Sequence, residues 1–206
     1  MNIKRSPLCG RNFEYHSEDP LLSGVLGAAF VRGLQAQGVG ATVEHFAANN
    51  QETGRMGVSA DGDERTLREI CLAAFERIVT EAHPAAYNRI NGVPAPENRW
   101  LLTDVLRTEW GFPGAVVSDW GGVGHRVAAL AAGLDLQMPG PDTANDAAIV
   151  PAVRAGVLDE ALADASVRRV AVLATRAVAP EPEATVPAEH HALAREMAAD
   201  CVVLLP

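Results

Sequence analysis

At 206 residues with 48% hydrophobic content, the chain carries enough apolar material for one substantial core, and its length fits a single domain. A formal net charge of -9, with arginines scattered rather than clustered, excludes the basic footprint that nucleic acid requires. No apolar run approaches the roughly 18 residues needed to span a bilayer, and the basic start at 1–5 has no apolar stretch behind it, so the sequence reads as cytoplasmic, without membrane or signal peptide. Cys9, Cys71 and Cys201 lie far apart without Cys-x-x-Cys spacing, and the adjacent His190 and His191 point apart on a helix, so neither a metal site nor a cofactor motif is visible.

Residues 2–5 read as the end of a strand, and 6–19 as a polar loop closed by Asp19 before Pro20, an N-cap followed by a first-position proline. A helix over 20–37 follows, with Leu22, Val25, Leu26, Ala29 and Phe30 as its expected buried stripe and Gly38 as its stop. The next strand, 39–46, gathers Glu44 and His45 at its C-terminal end. The loop 47–62 carries Asn49, Asn50, Gln51, Glu52 and Arg55, a density of hydrogen-bonding groups that suits either a polyhydroxylated ligand or a solvated loop. Asp61 and Glu64 stand at capping-box spacing, and the helix behind them repeats Leu67, Ile70, Cys71, Ala74, Phe75 and Ile78 on one face.

The segment 83–88, ending in Tyr87 and Asn88, is a thin strand, with about four residues between Pro84 and the next loop where five to six are usual. A helix from Asn98 has Leu101, Leu102, Val105 and Leu106 on its apolar face and stops at Gly111. Then come a strand ending at Asp119, a helix through Val127 and Leu130 to Ala132, and a strand over 134–138. Helices over 144–155 and 159–176 follow, then a linker rich in proline and acidic residues at 177–187. A last helix, 188–199, leads into an apolar tail, 201–206, that reads as a first strand.

Alternating strands and helices call for a parallel sheet, closed as a barrel or doubly wound. The phosphate-binding turn usual after the first doubly wound strand is missing, which favours the barrel. In such folds the C-terminal strand ends mount the chemistry. Ala115, Val116 and Val117 read as a strand buried on both faces, with its only charge, Asp119, at that end. Asp119 is therefore a candidate catalytic group or, alternatively, an aspartate capping the next turn.

The stretches NIKRSPLCGRNFEY (2–15), SEDP (17–20), HFAANNQET (45–53), DERTLREI (63–70), YNRINGVP (87–94) and VVSDWG (116–121) resemble the family-three glycoside hydrolases, the β-glucosidase and β-xylosidase group. The resemblance covers nearly the whole chain. It implies an α/β fold, an incomplete (β/α)8 TIM-type barrel with parallel strands over 1–176 that lacks its first strands. A Pro-rich linker over 177–187 and the start of a truncated C-terminal α/β sandwich over 188–206 would follow. It further implies retaining hydrolysis of a β-linked glucoside or related oligosaccharide, with no cofactor. Asp119 matches the nucleophile, Arg5 and His45 match residues that hold sugar hydroxyls, and Tyr87 matches a tyrosine lining the same pocket.

Four departures accompany these matches. Glu44 stands where the family usually has lysine, which removes a sugar contact and, if the carboxylate points inward, raises the pKa of Asp119. The segment before Tyr87 is short. About six strands are found where a closed barrel needs eight, leaving open edges that invite self-association. The chain ends before the domain that supplies the general acid/base, and none of Glu52, Asp61 and Glu97 is singled out to replace it. The implied chain is an incomplete, weakly active or inactive fragment. The alternatives are a non-catalytic sugar-binding or interaction remnant and a chain that does not fold alone.

Overall fold

The computed structural model describes residues 1–79, 83–85, 88–140, 143–176 and 187–204. Tyr87 and residues 177–186 of the expected linker lie outside them.

Helix α1 (Pro20–Ala36) begins where the sequence places it. Asp19 accepts a hydrogen bond from the Leu21 N–H at 2.7 Å, and Pro20 fills the first position, where its missing N–H costs nothing. The buried side differs from the expected stripe. Leu22, Val25, Leu26 and Phe30 are 46, 39, 43 and 65% exposed, and Ala29 is exposed too. The helix instead buries Ser23, Gly24, Gly27, Ala28 and Val31. Close approach explains the reversal. A Cβ on Gly24 would stand 2.9 Å from Arg77 Cδ, and one on Gly27 would stand 2.5 Å from Met1 Cε and 2.6 Å from Ile78 Cδ1. Small residues let α1 lie directly on the following helix, a contact the larger residues would block. Gly27→Leu is expected to push the two helices apart and cost about 1–3 kcal/mol. Gly33→Ala on the same helix, with nothing within 4 Å of the added carbon, should stabilise by up to about 1 kcal/mol. Denaturant midpoints of the two variants check both signs.

Helix α2 (64–79) is capped by Asp63 rather than Asp61: its carboxylate accepts from the Thr66 N–H at 2.9 Å and from Thr66 Oγ1 at 2.7 Å. Between its α-helical ends the stretch Leu67–Leu72 adopts the wider π register. Leu67, Cys71, Ala74, Phe75 and Ile78 are buried as their periodicity predicts. The wider turn rotates the face, so Ile70 is 39% exposed and Leu72 is buried instead. In α3 (Trp100–Glu109), also in π register, Leu101, Leu102, Val105 and Leu106 are all fully buried. Asn98 Oδ1 accepts from the Leu101 N–H at 3.0 Å, and Gly111, at φ +68°, turns the chain away afterwards.

Helix α4 (Arg126–Ala132) follows. The helix expected over 144–155 is split into α5 (Thr143–Asp146) and α6 (Ile149–Arg154). Pro151 explains the break, since it cannot donate within a continuous helix and is accommodated only in the first turn of a new one. Helices α7 (Glu160–Arg176) and α8 (Pro187–Asp200) agree with expectation to within about one residue. Among the described residues no helix is long and apolar enough to cross a membrane.

The strands are shorter than the sequence suggests. β1 (Thr42–Glu44) pairs in parallel with β3 (His83–Ala85), Val43 opposite Pro84. A second small sheet joins β2 (Ser59–Ala60), β4 (Arg89–Ile90) and β5 (Val93–Pro94), parallel then antiparallel. Two-residue ladders carry no readable alternation, so these stretches read as loops. The Asp119 segment and the 134–138 segment meet through one parallel bridge, Val117 to Leu136. Residues 2–5 form no strand. They are held by side-chain amides instead: Asn2 Nδ2 donates to the His45 carbonyl, and Asn50 Nδ2 donates to the Ile3 carbonyl, both at 2.8 Å. Nor is the tail a strand, since Val202, Val203 and Leu204 are 72, 80 and 94% exposed.

The core lies where α2, α3 and the two parallel pairs meet. Phe46 sits edge-on to Phe75 at 5.1 Å and against Trp110 at 5.8 Å, with Leu101, Val105, Leu106, Val116 and Leu134 buried around them. A charge is sealed beside this core. The Asp135 side chain is wholly buried and bonds Arg107 Nη2 at 2.6 Å, Arg169 Nη2 at 2.8 Å and the Val116 N–H at 2.8 Å.

Candidate active site

Asp119 stands two residues past the Val117–Leu136 bridge. The Ser118 N–H donates to the Leu136 carbonyl at 2.8 Å, and the Gly121 N–H donates to the Met138 carbonyl at 3.0 Å, so the backbone is fixed on both sides of the carboxylate. Gly121, at φ +74°, turns the chain just after it. Oδ1 accepts the Trp120 N–H at 2.7 Å, as a capping aspartate would, while Oδ2 lies 3.6 Å from His45 Nε2. The side chain is 11% exposed. Burial raises its pKa from the ordinary carboxylate value, the Trp120 N–H opposes that, and the negative charge of Glu44 adds to the rise.

His45 immediately follows β1, at φ +61°, a left-handed conformation that costs energy for a residue with a side chain and collects at functional sites. Its ring is buried. Burial, reinforced by the N-terminal ammonium and by Arg11 and Arg55, pushes its pKa down to about 3, so the imidazole is neutral near pH 7. The tautomer follows from its neighbours. Tyr15 gives its only hydroxyl proton to the Asn49 carbonyl at 2.6 Å, and His45 Nδ1 lies 3.1 Å from the Tyr15 hydroxyl oxygen. Nδ1 must then be the donor, with Glu14 Oε2 as a second acceptor 3.5 Å away. Nε2 lies on the side of the ring that faces Asp119. Because the unfolded chain takes up a proton near pH 6.5 and the folded chain only near about 3, stability is expected to fall as pH drops through that window. His45→Gln should flatten that slope in denaturation measured between the two limits.

The structure thus brings His45 and Asp119 together and puts the exposed Glu44 within electrostatic reach. Arg5 is exposed and stands on the wall of a neighbouring cleft instead, and Tyr87 lies outside the described residues. The other loop carboxylates are engaged. Glu52 pairs with Arg11 at 3.4 Å and Arg55 at 3.7 Å, Asp61 accepts from Ser59 Oγ at 2.5 Å, and Glu97 accepts from the His125 N–H at 2.9 Å. Sequence reasoning assigned no role to Tyr15, Glu14 or Arg11, although all three stand in the 2–15 stretch. Arg11 forms a close ion pair with Glu14, which in turn faces His45.

This arrangement is a partly buried carboxylate, one oxygen held by the Trp120 N–H, beside a neutral imidazole. Residues 1–173 match the model of the glycosyl hydrolase family 3 N-terminal domain. The chain belongs to glycoside hydrolase family 3. It is 52% identical, over 99% of its length, to the thermostable β-glucosidase B of Acetivibrio thermocellus, and 55% identical over 80% of its length to an exo-α-(1->6)-L-arabinopyranosidase of Bifidobacterium longum. It spans only 28% and 22% of those two proteins. Among solved structures, the family 3 β-glucosidase of Bifidobacterium adolescentis superposes on the whole chain with a TM-score of 0.93 at 47% identity, 31% of that protein being covered. β-Glucosidase 3B of Thermotoga neapolitana in complex with glucose superposes on the whole chain at 0.89 and 44% identity, again with 31% covered. The fold is accordingly that of the family's N-terminal TIM-type barrel, seen here as mixed α/β structure with a partial sheet.

Proposed function

We propose that this chain carries the nucleophile of a retaining β-glucosidase-type site. The observation that carries the reading is that the partly buried Asp119 carboxylate stands at the strand end with Oδ2 3.6 Å from the neutral His45 imidazole, in a family 3 chain whose relatives include β-glucosidases. Oδ1 is committed to the Trp120 N–H, so Oδ2 is the attacking atom. It forms an ester bond to the anomeric carbon as the glycosidic C–O bond breaks, and the leaving oxygen takes a proton from a general acid; water then cleaves the ester. His45 and Tyr87 contact the sugar hydroxyls in this reading, whereas Arg5, matched to the same role by the family resemblance, stands on the wall of the neighbouring cleft. The division into barrel, linker and sandwich start belongs to the same reading, supported by a family match that ends at residue 173.

No general acid is assigned among the described residues. With unactivated glucosides the chain by itself is therefore expected to turn over weakly or not at all. An activated 2-deoxy-2-fluoro-β-glucoside needs no protonation of its leaving group, so it tests the nucleophile alone. Intact-mass spectrometry should show one fluorosugar added, and a chain unchanged in mass would count against the reading.

A further inference from the structure

Beside the 45–50 loop lies an open cleft of about 230 Å³, with Arg5, Asn49, Asn50, Ser59, Asp61 and Asn88 on its walls and Asp119 not among them. Asn49, Asn50 and Asn88 are 1, 8 and 1% exposed. Both amide atoms of Asn49, Asn50 Oδ1 and Asn88 Oδ1 have no hydrogen-bond partner among the described residues. Leaving a buried polar atom unpaired is costly, because it gives up its hydrogen bonds to water without replacement. Three such side chains around one cleft mark a place where a bound molecule completes the hydrogen bonds.

Two of the amides are already anchored from behind. Asn50 Nδ2 donates to the Ile3 carbonyl at 2.8 Å, and Asn88 Nδ2 donates to the Arg89 carbonyl at 3.1 Å. The two side chains are thereby held in place before any ligand arrives, which lowers the ordering cost of binding.

The chemistry of the walls selects the ligand. Arg5 and Asp61 contribute one charge of each sign, so the cleft favours neither an anion nor a cation. Hydroxyl groups both donate and accept, and so satisfy an asparagine amide in either orientation. At about 30 Å³ per water, the volume holds roughly eight waters, the space of one sugar ring or a short polyol and not of an oligosaccharide.

We infer that this cleft binds a neutral polyhydroxyl ligand, a single monosaccharide ring or short polyol, through the amides of Asn49, Asn50 and Asn88, at a site separate from the Asp119–His45 contact. Asn49, which lines the cleft, also accepts the Tyr15 hydroxyl at its backbone carbonyl, and that hydroxyl lies 3.1 Å from His45 Nδ1.

The test is a titration of the ¹⁵N-labelled 206-residue chain with D-glucose, with glycerol and, as a charged control, with sulfate, following side-chain amide signals. Glucose or glycerol should shift the Asn49, Asn50 and Asn88 signals saturably in the millimolar range, and sulfate should not. Asn49→Ala is expected to weaken binding about tenfold. Gln51→Trp, at the exposed rim, should block binding without disturbing a buried amide. Asp119→Asn should leave these shifts intact, which separates this site from the proposed nucleophile. A well-dispersed spectrum with no saturable shift, or shifts abolished by Asp119→Asn but untouched by Gln51→Trp, would overturn the inference, and a spectrum without dispersion would remove the cleft itself.

Discussion

Asp119→Asn is expected to abolish the mass increase produced by an activated 2-deoxy-2-fluoro-β-glucoside, with the labelling rate falling at least about 10³-fold. The substitution changes little except charge. The new amide oxygen can still accept the Trp120 N–H that Oδ1 accepts at 2.7 Å, and the volume is the same. What disappears is the anionic Oδ2 that forms the ester, and a neutral amide does not replace it. The pH profile of labelling supplies an independent reading. Burial first and Glu44 second hold the Asp119 pKa above its ordinary value, so the acid limb of the wild-type profile should lie above that of a free carboxylate. Glu44→Gln should move that limb downward, modestly and less so at high salt, because Glu44 is exposed and its field is screened. Glu44→Lys should move it further. An adduct that persists in Asp119→Asn would place the nucleophile on another residue.

The sequence disclosed the parts of this molecule that repeat or that end abruptly. The apolar faces of α2 and α3 recur every three to four residues, and Asp119 is the only charge at the end of an apolar run; both features are local. The buried face of α1 was misread for a physical reason: hydrophobic patterning weights large side chains, whereas Gly24 and Gly27 are buried because they lack one. The network behind His45 was hidden differently. Its members stand inside a quoted stretch, but Tyr15 meets His45 across 30 residues, and no spacing rule reports such a contact. Asn49 and Asn50 lay in a loop that suited either a ligand or solvent; their burial with unpaired amide atoms favours the ligand. The thin strand before Tyr87 could be foreseen from its length, while Tyr87 itself falls outside the described residues.

Asp135 left no trace in that reading, yet its loss should be the most damaging to stability. It sits in a strand among leucines, and its two arginine partners are 28 and 34 residues away. Asp135→Asn is expected to cost about 3–5 kcal/mol, a fall in Tm of roughly 6–20 °C for a chain of this size. The carboxylate is wholly buried, and both its oxygens are used: Oδ2 by Arg107 Nη2 at 2.6 Å and the Val116 N–H at 2.8 Å, Oδ1 by Arg169 Nε at 2.9 Å and Nη2 at 2.8 Å. An asparagine amide would keep one acceptor and turn a donor toward a guanidinium, leaving two cations uncompensated. Arg107 is the worse placed of the two, since burial already pulls its pKa down and Asp135 opposes that pull. Arg169→Met should cost less than Arg107→Met, because Arg169 is 24% exposed against 14% and can rehydrate. The damage should also reach the site. Val116 lies three residues before Asp119, and its N–H is held by the same carboxylate, so fluorosugar labelling of Asp135→Asn should slow even at temperatures where the variant remains folded. Unchanged stability would mean that the single Val117–Leu136 bridge and the surrounding apolar packing hold this strand without the ion cluster.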